Sequence, residues 1–301
     1  MGTRGSKLAL EQTRTVLAGL TAVSPGLEAQ VVHVKTYGDR LPAEKRTETD
    51  GKGAFTDDIE ALLLKGELDM AVHSLKDLPV ELDDGLEIGA TPARGDPRDA
   101  FVSPDGVDFA SLPAGSSVGT SSIRRRAQLL SLRRDIAIVE MHGNVETRVR
   151  KMSEMHLQGI VLAAAGMDRL SMGGRIVQRF PVDQVVPAAG QGIIAVEVRK
   201  GDAEVARLVS QISDENAMLS SRCERAFAKA IGGDCYVPAG ANASIDGGVL
   251  TLVAMIASPD GRTVLKRSAS SADPVSLGEA LGEELLRFGG ATLIREGAMR
   301  A

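Results

Sequence analysis

The chain has 301 residues, of which 43% are apolar and 25% charged, with a formal net charge of −5. That length allows two or three domains with a sizeable core, and the acidity argues against a general polyanion binder. Two Tyr, six Phe and no Trp offer little for base stacking. No apolar run approaches the roughly 18 residues of a membrane span. The opening MGTRGSKLAL reads as neither signal nor transit peptide. A cytoplasmic protein without nucleic-acid or membrane partners is therefore expected.

In chain order, Ser6 can cap a helix that carries Ala9, Val16, Leu17 and Leu20 on one side. Residues 29–37, AQVVHVKTY, alternate like a strand. FTDDIEALLLKG reads as a helix, with Thr56 as cap, Asp57 and Asp58 in the first turn and Gly66 as stop. LDMAVHS (68–74) and LEIGA (86–90) read as strands. After the connector TPARGDPRD (91–99) the pattern restarts. SSVG (116–119) is a strand and a helix starts from Ser122; DIAIVEM (135–141) is a strand, NVETRVRKMSEM a helix and GIVLAAA (159–165) a buried strand. IIAVEV (193–198) follows PAAGQG as one more strand.

Two such units imply two α/β domains with a cleft between them and a site beyond the carboxyl ends of the strands. The last ninety or so residues differ. A helix near 214–230, turns at Asp246-Gly247 and Pro259-Asp260-Gly261 and a helix near 274–288 predict a small α+β domain built on an antiparallel meander.

Cys223 shares a helical face with Leu219, Ala226, Phe227 and Ala230 and reads as core. Cys235, in IGGDCYVPAG, has no such periodicity. A Cys223–Cys235 disulfide is not expected in a reducing compartment. His33, His73, His142 and His156 are scattered and the cysteines lack CxxC spacing, so no metal is expected.

Two stretches carry anion-binding character. GTSSIRRRAQLL (119–130) runs from a strand through a Gly-Thr-Ser-Ser turn into a helix, where free N–H groups and the helix dipole attract anions, with Arg124 and Arg125 in the first turn. HGNVETR (142–148) repeats the arrangement and ends in Arg148. Two such sites suggest a ligand with several carboxylates or phosphates. HSLKDLPV (73–80) places His73, Lys76 and Asp77 at a strand end, although Asp77 alone fits a loop cap or a partner for Lys76 equally well.

Together with TRGSKLAL, GKGAF, DPRDAFVS, LAAAGMDRL, PAAGQG and GGDCYVP, these segments resemble, in order, the signature segments of the porphobilinogen deaminase family. The resemblance implies two domains like type II periplasmic binding proteins and a third with a three-stranded antiparallel sheet. The implied division is 1–92 with 193–212, then 97–188, then 214–301. It also implies a monomeric hydroxymethylbilane synthase of tetrapyrrole biosynthesis. Such an enzyme joins four porphobilinogen molecules head to tail on a dipyrromethane cofactor, losing ammonia each time, and releases the chain with water.

Carried over residue by residue, Cys235 holds the cofactor in thioether linkage and Asp77 is the catalytic carboxylate. Lys76, Ser122, Arg124, Arg125, Thr120, Ser74 and Arg148 fall on cofactor-binding positions. Arg4, Ser6, Gln12, Lys52, Arg169, Gln191 and His142 fall on substrate-binding ones. The chemistry is coherent: a carboxylate stabilises the azafulvenium cation left when ammonia departs, and arginines offset the two carboxylates of each ring.

Three features depart from the family's pattern. His142 stands where an arginine is usual, which implies a pH-dependent contact. Asp234 precedes Cys235 where glycine is common, and Glu48, Thr49 and Asp50 lead into Gly51-Lys52-Gly53. The competing readings are a non-catalytic small-anion binding protein of the same fold and a thiol enzyme using Cys235 with a histidine base.

Overall fold

The structure is a computed structural model and describes residues 1–40, 55–232 and 237–298. In chain order the elements are β1 (Gly2–Arg4), α1 (Lys7–Val23), β2 (Val32–Val34), α2 (Tyr37–Arg40), α3 (Asp57–Leu64), β3 (Met70–Ser74) and β4 (Leu86–Ala90). There follow β5 (Asp99–Val102), β6 (Ser117–Gly119), α4 (Ile123–Leu132), β7 (Ala137–Val139), α5 (Val145–Glu154), β8 (Gly159–Ala163), α6 (Ala164–Arg169) and β9 (Gln178–Arg179). The chain continues through β10 (Ile194–Arg199), α7 (Ala203–Ser210), α8 (Glu215–Ala230), β11 (Ala239–Asp246), β12 (Val249–Ala257), β13 (Val264–Ser270), α9 (Pro274–Leu285) and α10 (Ala291–Ala298).

Two five-stranded sheets share one topology. The first has the order β2-β1-β3-β10-β4 and the second β7-β6-β8-β5-β9. In each, three strands run parallel and the fourth position is antiparallel: β10 against β3 and β4, β5 against β8 and β9. Both antiparallel strands sit directly after a crossing between the lobes, so two connectors join them. The third sheet, β11-β12-β13, is the expected antiparallel meander.

Each sheet buries a face because its apolar residues fall at the right period. On one side of the first sheet Val16 and Leu20 of α1 meet Met70, Val72, Ile194, Val196 and Val198; on the other, Ile59 and Leu63 of α3 meet Ala71 and Leu86. In the second lobe Phe101, Phe109 and Phe180 pack edge to face, with centroids 5.4–6.4 Å apart. Under the third sheet, α8 and α9 seal Cys223, Phe227, Leu252, Ile256, Leu277, Leu281 and Leu285. Cys223 is fully buried, as its helical face implies.

Several elements differ from their sequence reading. The strand read over 29–37 is only Val32–Val34, because β2 is an edge strand whose sole partner, β1, is three residues long. DIAIVEM shortens to Ala137–Val139 for the same reason against β6. GIVLAAA stops at Ala163, where Ala164 donates to Arg98 O and the chain turns into α6. Thr56 precedes α3 without a side-chain capping bond, whereas Ser6 caps its helix as expected, and Ser122 and Asn144 cap theirs. The final helix breaks after Leu285, and Gly289 takes a φ of 112°.

Candidate functional site

The carboxyl ends of the parallel strands in the two lobes face each other across a cleft of about 920 Å³. That is near the upper end for small-molecule pockets and leaves room for more than one ring. Each wall is made where a strand ends and a helix begins. β1 delivers Arg4 and Ser6, the Ser6 hydroxyl accepting from Ala9 N–H at 3.2 Å. β3 delivers His73 and Ser74, and a short 3-10 turn over Leu75–Asp77 carries Lys76 and Asp77. From the other lobe come Arg125, His142, Asn144, Thr147, Arg148 and Lys151. Gln12 of α1 lines the cleft and donates to Ser74 Oγ at 2.8 Å.

Among the described lining residues Arg4, Lys35, Lys76, Arg125, Arg148 and Lys151 are cationic, against Asp39 and Asp77. Asp39 is already taken up: Arg4 grips it through two bonds of 2.6 and 3.2 Å and stacks over Phe55 at 4.2 Å. Asp77 therefore stands as the carboxylate left free in a basic cleft of an acidic protein. Lys76 opens onto the cleft, yet the surrounding walls displace bulk water. That desolvation holds its ammonium down to about 8, with Asp77 opposing and Arg125 reinforcing the shift. Burial likewise holds Arg148 down to about 10, Arg125 adding repulsion and Asp77 opposing it. Lys35, Lys76, Arg148 and Lys151 have no ion-pair partner among the described residues. Exposed ion pairing between Lys7 and Glu146, 2.5 Å apart, spans the cleft mouth.

Other candidate residues lie behind the cleft. Arg124 and Arg125 share buried Asp99, at 2.7 and 2.8 Å, and Arg124 also donates to Val186 O, so it does not line the cleft. Burial alone would raise the Asp99 carboxyl, but the two guanidiniums hold it well below the usual carboxylate range. Gln191 donates to Asp99 Oδ1 and Pro97 O. Thr120 Oγ1 accepts from Ser122 N–H, and Ser122 caps α4 through Arg125 N–H. Arg169 donates to Gly192 O at 2.7 Å. Thr120, Ser122, Arg124, Arg169 and Gln191 brace the cleft's floor and the connectors, whereas Arg125 also lines the cleft. His142 does line the cleft, and its Nε2 faces Glu140 at 3.1 Å. Cys235, Asp234, Lys52 and residues 48–51 and 53 lie outside the described residues.

Both connectors converge on one side chain of the third domain, the fully buried Glu224 of α8. It receives Arg94 from the first connector at 2.6 and 3.3 Å and Gly190 N–H from the second at 2.5 Å. Ala243 N–H of β11 completes the set at 2.7 Å. Gly190 has φ 77°, and a Cβ there would lie 2.8 Å from Leu75 and 3.0 Å from Lys76 N, so the connector passes close beneath the Lys76–Asp77 turn.

Sequence reasoning missed Lys35, Phe55 and Lys151. Lys151 could have been found, since it lies three residues after Arg148 and so shares its helical face. Lys35 and Phe55 are brought in only by the tertiary fold.

The family profile for "Porphobilinogen deaminase, dipyromethane cofactor binding domain" matches residues 1–207, and that for the family's C-terminal domain matches 218–287. The chain belongs to the porphobilinogen deaminase family. Relatives bearing that name include those of Roseiflexus sp. strain RS-1, 46% identical over 98% of this chain and 97% of its own, and of Brevibacillus brevis strain 47, 43% identical over 98% and 96%. That of Syntrophotalea carbinolica is 43% identical over 100% and 93%. Among solved structures, the BvgS VFT2 domain of Bordetella pertussis is similar over 66% of this chain and 76% of its own, at 18% identity and a TM-score of 0.40. No helix among the described residues is long and apolar enough to cross a membrane.

Proposed function

We propose that this member of the porphobilinogen deaminase family is a hydroxymethylbilane synthase. It condenses four porphobilinogen molecules on a dipyrromethane held by Cys235 and releases the linear tetrapyrrole with water. The observation that carries the reading is a free carboxylate, Asp77, at the strand-end turn of a cleft whose other charged groups are nearly all cationic. A non-catalytic anion-binding role would leave that carboxylate working against its own ligand.

The residues suit the cofactor. Two pyrroles with two carboxylates each need four cationic partners, and Lys35, Lys76, Arg148 and Lys151 are ion-pair-free cations on the cleft wall. When bound, the dipyrromethane supplies the free ring position to which substrate is joined. Lys76 and Arg148 hold carboxylates through charge-assisted bonds, about 1.5–3 kcal/mol each. Arg125, fixed on Asp99, presents its remaining positive field without moving. Asp77 faces the substrate's pyrrole N–H and stabilises the cation left as ammonia departs, an electrostatic effect made stronger where water is scarce. Thr120, Ser122, Arg124, Arg169 and Gln191 act one layer back, by fixing Arg125 and the connectors. Three domains follow from this reading, 1–92 with 193–212, 97–188 and 214–301, in a cytoplasmic monomer.

Intact-mass measurement tests the assignment. The purified protein should carry an adduct of two pyrrole units that Cys235→Ser abolishes; a fully active enzyme with unmodified Cys235 would overturn it. Asp77→Ala should keep the adduct and lose about 10²–10⁴-fold in turnover.

A further inference from the structure

His73 belongs to the same segment as Lys76 and Asp77, yet nothing in the function above uses it. In the pairing of β3 with β10, Ala195 lies opposite His73 and Glu197 opposite Ala71, so His73 and Glu197 share one face of the sheet. The helix α3 covers that face and brings Glu60. His73 is 5% exposed, Glu197 0% and Glu60 9%. His73 Nε2 lies 3.2 Å from Glu197 Oε2, close enough for charge attraction but not aligned for a hydrogen bond. Both Glu197 oxygens and Glu60 Oε1 lack hydrogen-bond partners, and the nearby Thr56 hydroxyl is not aligned to give one. Buried carboxylates left unmatched are costly, so the cluster favours taking up a proton or a water.

The cluster borders the cleft: His73 and Thr56 line it, as does Asp77, while His73 Nε2 and both Glu197 oxygens are buried behind that wall. The charged groups around it are Glu197 on β10, Glu60 and Asp57 on α3, Arg225 on α8, and Lys76 and Asp77 on its own segment. Arg225 also grips Pro79 O and Val80 O, fixing the chain just after Asp77. Burial, then repulsion from Glu197, raises the Glu60 carboxyl, so the cluster readily accommodates a proton.

Each condensation produces one. The bond from the aminomethyl carbon to its ammonium nitrogen breaks, its electron pair leaving with ammonia. The acceptor ring's carbon supplies the pair for the new carbon–carbon bond. The C–H bond at that carbon then breaks, its pair returning to the ring and its proton departing. Among the described lining residues the arginines are donors, Asp39 is committed to Arg4, and His142 lies on the opposite wall against Glu140.

We propose that His73 and Glu197, backed by Glu60, take up this proton between Nε2 and Oε2 and pass it through buried water to solvent. Asp77 is thereby restored as a carboxylate for the next condensation. The inference rests on the hydroxymethylbilane synthase reading.

Steady-state ammonia release from porphobilinogen, followed against pH, tests it in the wild type, His73→Asn, Glu197→Gln and Glu60→Gln. In His73→Asn and Glu197→Gln, kcat should fall about 10- to 100-fold, short of the ~10²–10⁴ of a direct acid–base group, with KM within about twofold. Thermal midpoint and covalent adduct should be retained. The acid limb of the kcat profile should move in His73→Asn, which a merely structural role would not produce. Glu60→Gln should shift the same limb with a smaller loss. Wild-type kcat and an unmoved acid limb in His73→Asn would overturn the proposal; should that variant fail to fold, the same readout in Glu197→Gln decides. A wild-type protein that releases no ammonia would instead sink the functional reading beneath it.

Discussion

Glu224→Ala removes a buried side chain on which both interlobe connectors and the third domain converge. Arg94 keeps its bonds to Gln191 O and Ala243 O but loses its counter-charge at only 12% side-chain exposure. The N–H groups of Gly190 and Ala243 lose their acceptor. Breaking a buried pair costs about 3–5 kcal/mol, and a stranded buried donor about 1–3. Because these overlap, the expected total is about 5 kcal/mol. With an unfolding entropy of about 2.1 cal/mol/K per residue, the whole chain has roughly 0.6 kcal/mol/K, so the midpoint should fall about 8 °C. Glu224→Gln keeps an acceptor for only one of the two N–H groups, since Gly190 and Ala243 use different oxygens, and sets its amide N–H against the other, so it should recover little of the loss. Differential scanning calorimetry at fixed pH reads both. A Glu224→Ala midpoint within about 2 °C of wild type, or a Gln variant as stable as wild type, would refute the account of the hub.

Asp99→Asn should leave Arg124 and Arg125 buried without a counter-charge and cost about 3–5 kcal/mol in urea unfolding at pH 7. Since the Asp99 carboxyl is lowered in the folded state, its stabilisation is complete above the unfolded value near 3.9 and lost as pH falls through the folded one, so the gap between variant and wild type should close only in strong acid. Lys76, with its ammonium held down to about 8, should lose its charge as pH rises through that value; kcat should decline there as its hold on the cofactor weakens, and Lys76→Arg should flatten the decline. Burial, with Glu224 beside it, pushes the Cys223 thiol up to about 12, so a maleimide should label it only after unfolding.

The sequence made the strand–helix alternation legible because periodicity and capping residues are local: Ser6 caps α1 where its spacing implies. It also pointed to the stretches that line the cleft. It could not separate Arg124 from Arg125. Neighbours on a helix project about 100° apart, and which one meets the cleft depends on Asp99, twenty-five residues away. The importance of Glu197 was equally hidden, since IIAVEV reads as an ordinary strand until β10 is seen to lie beside β3. Glu224 looked like one more charge on α8, because the connectors that seek it lie 34 and 130 residues upstream.

The first sheet holds a strand that the chain delivers late. β10 lies between β3 and β4 but begins only at Ile194, after the whole second lobe. As the chain leaves the ribosome, the second lobe has all five of its strands by residue 179, whereas β4 has no partner until β10 arrives. The amino-terminal lobe is therefore the first to be made and not the first that can close. Until then β3 is an edge strand whose outer N–H and C=O groups, those β10 will take, lie unpaired.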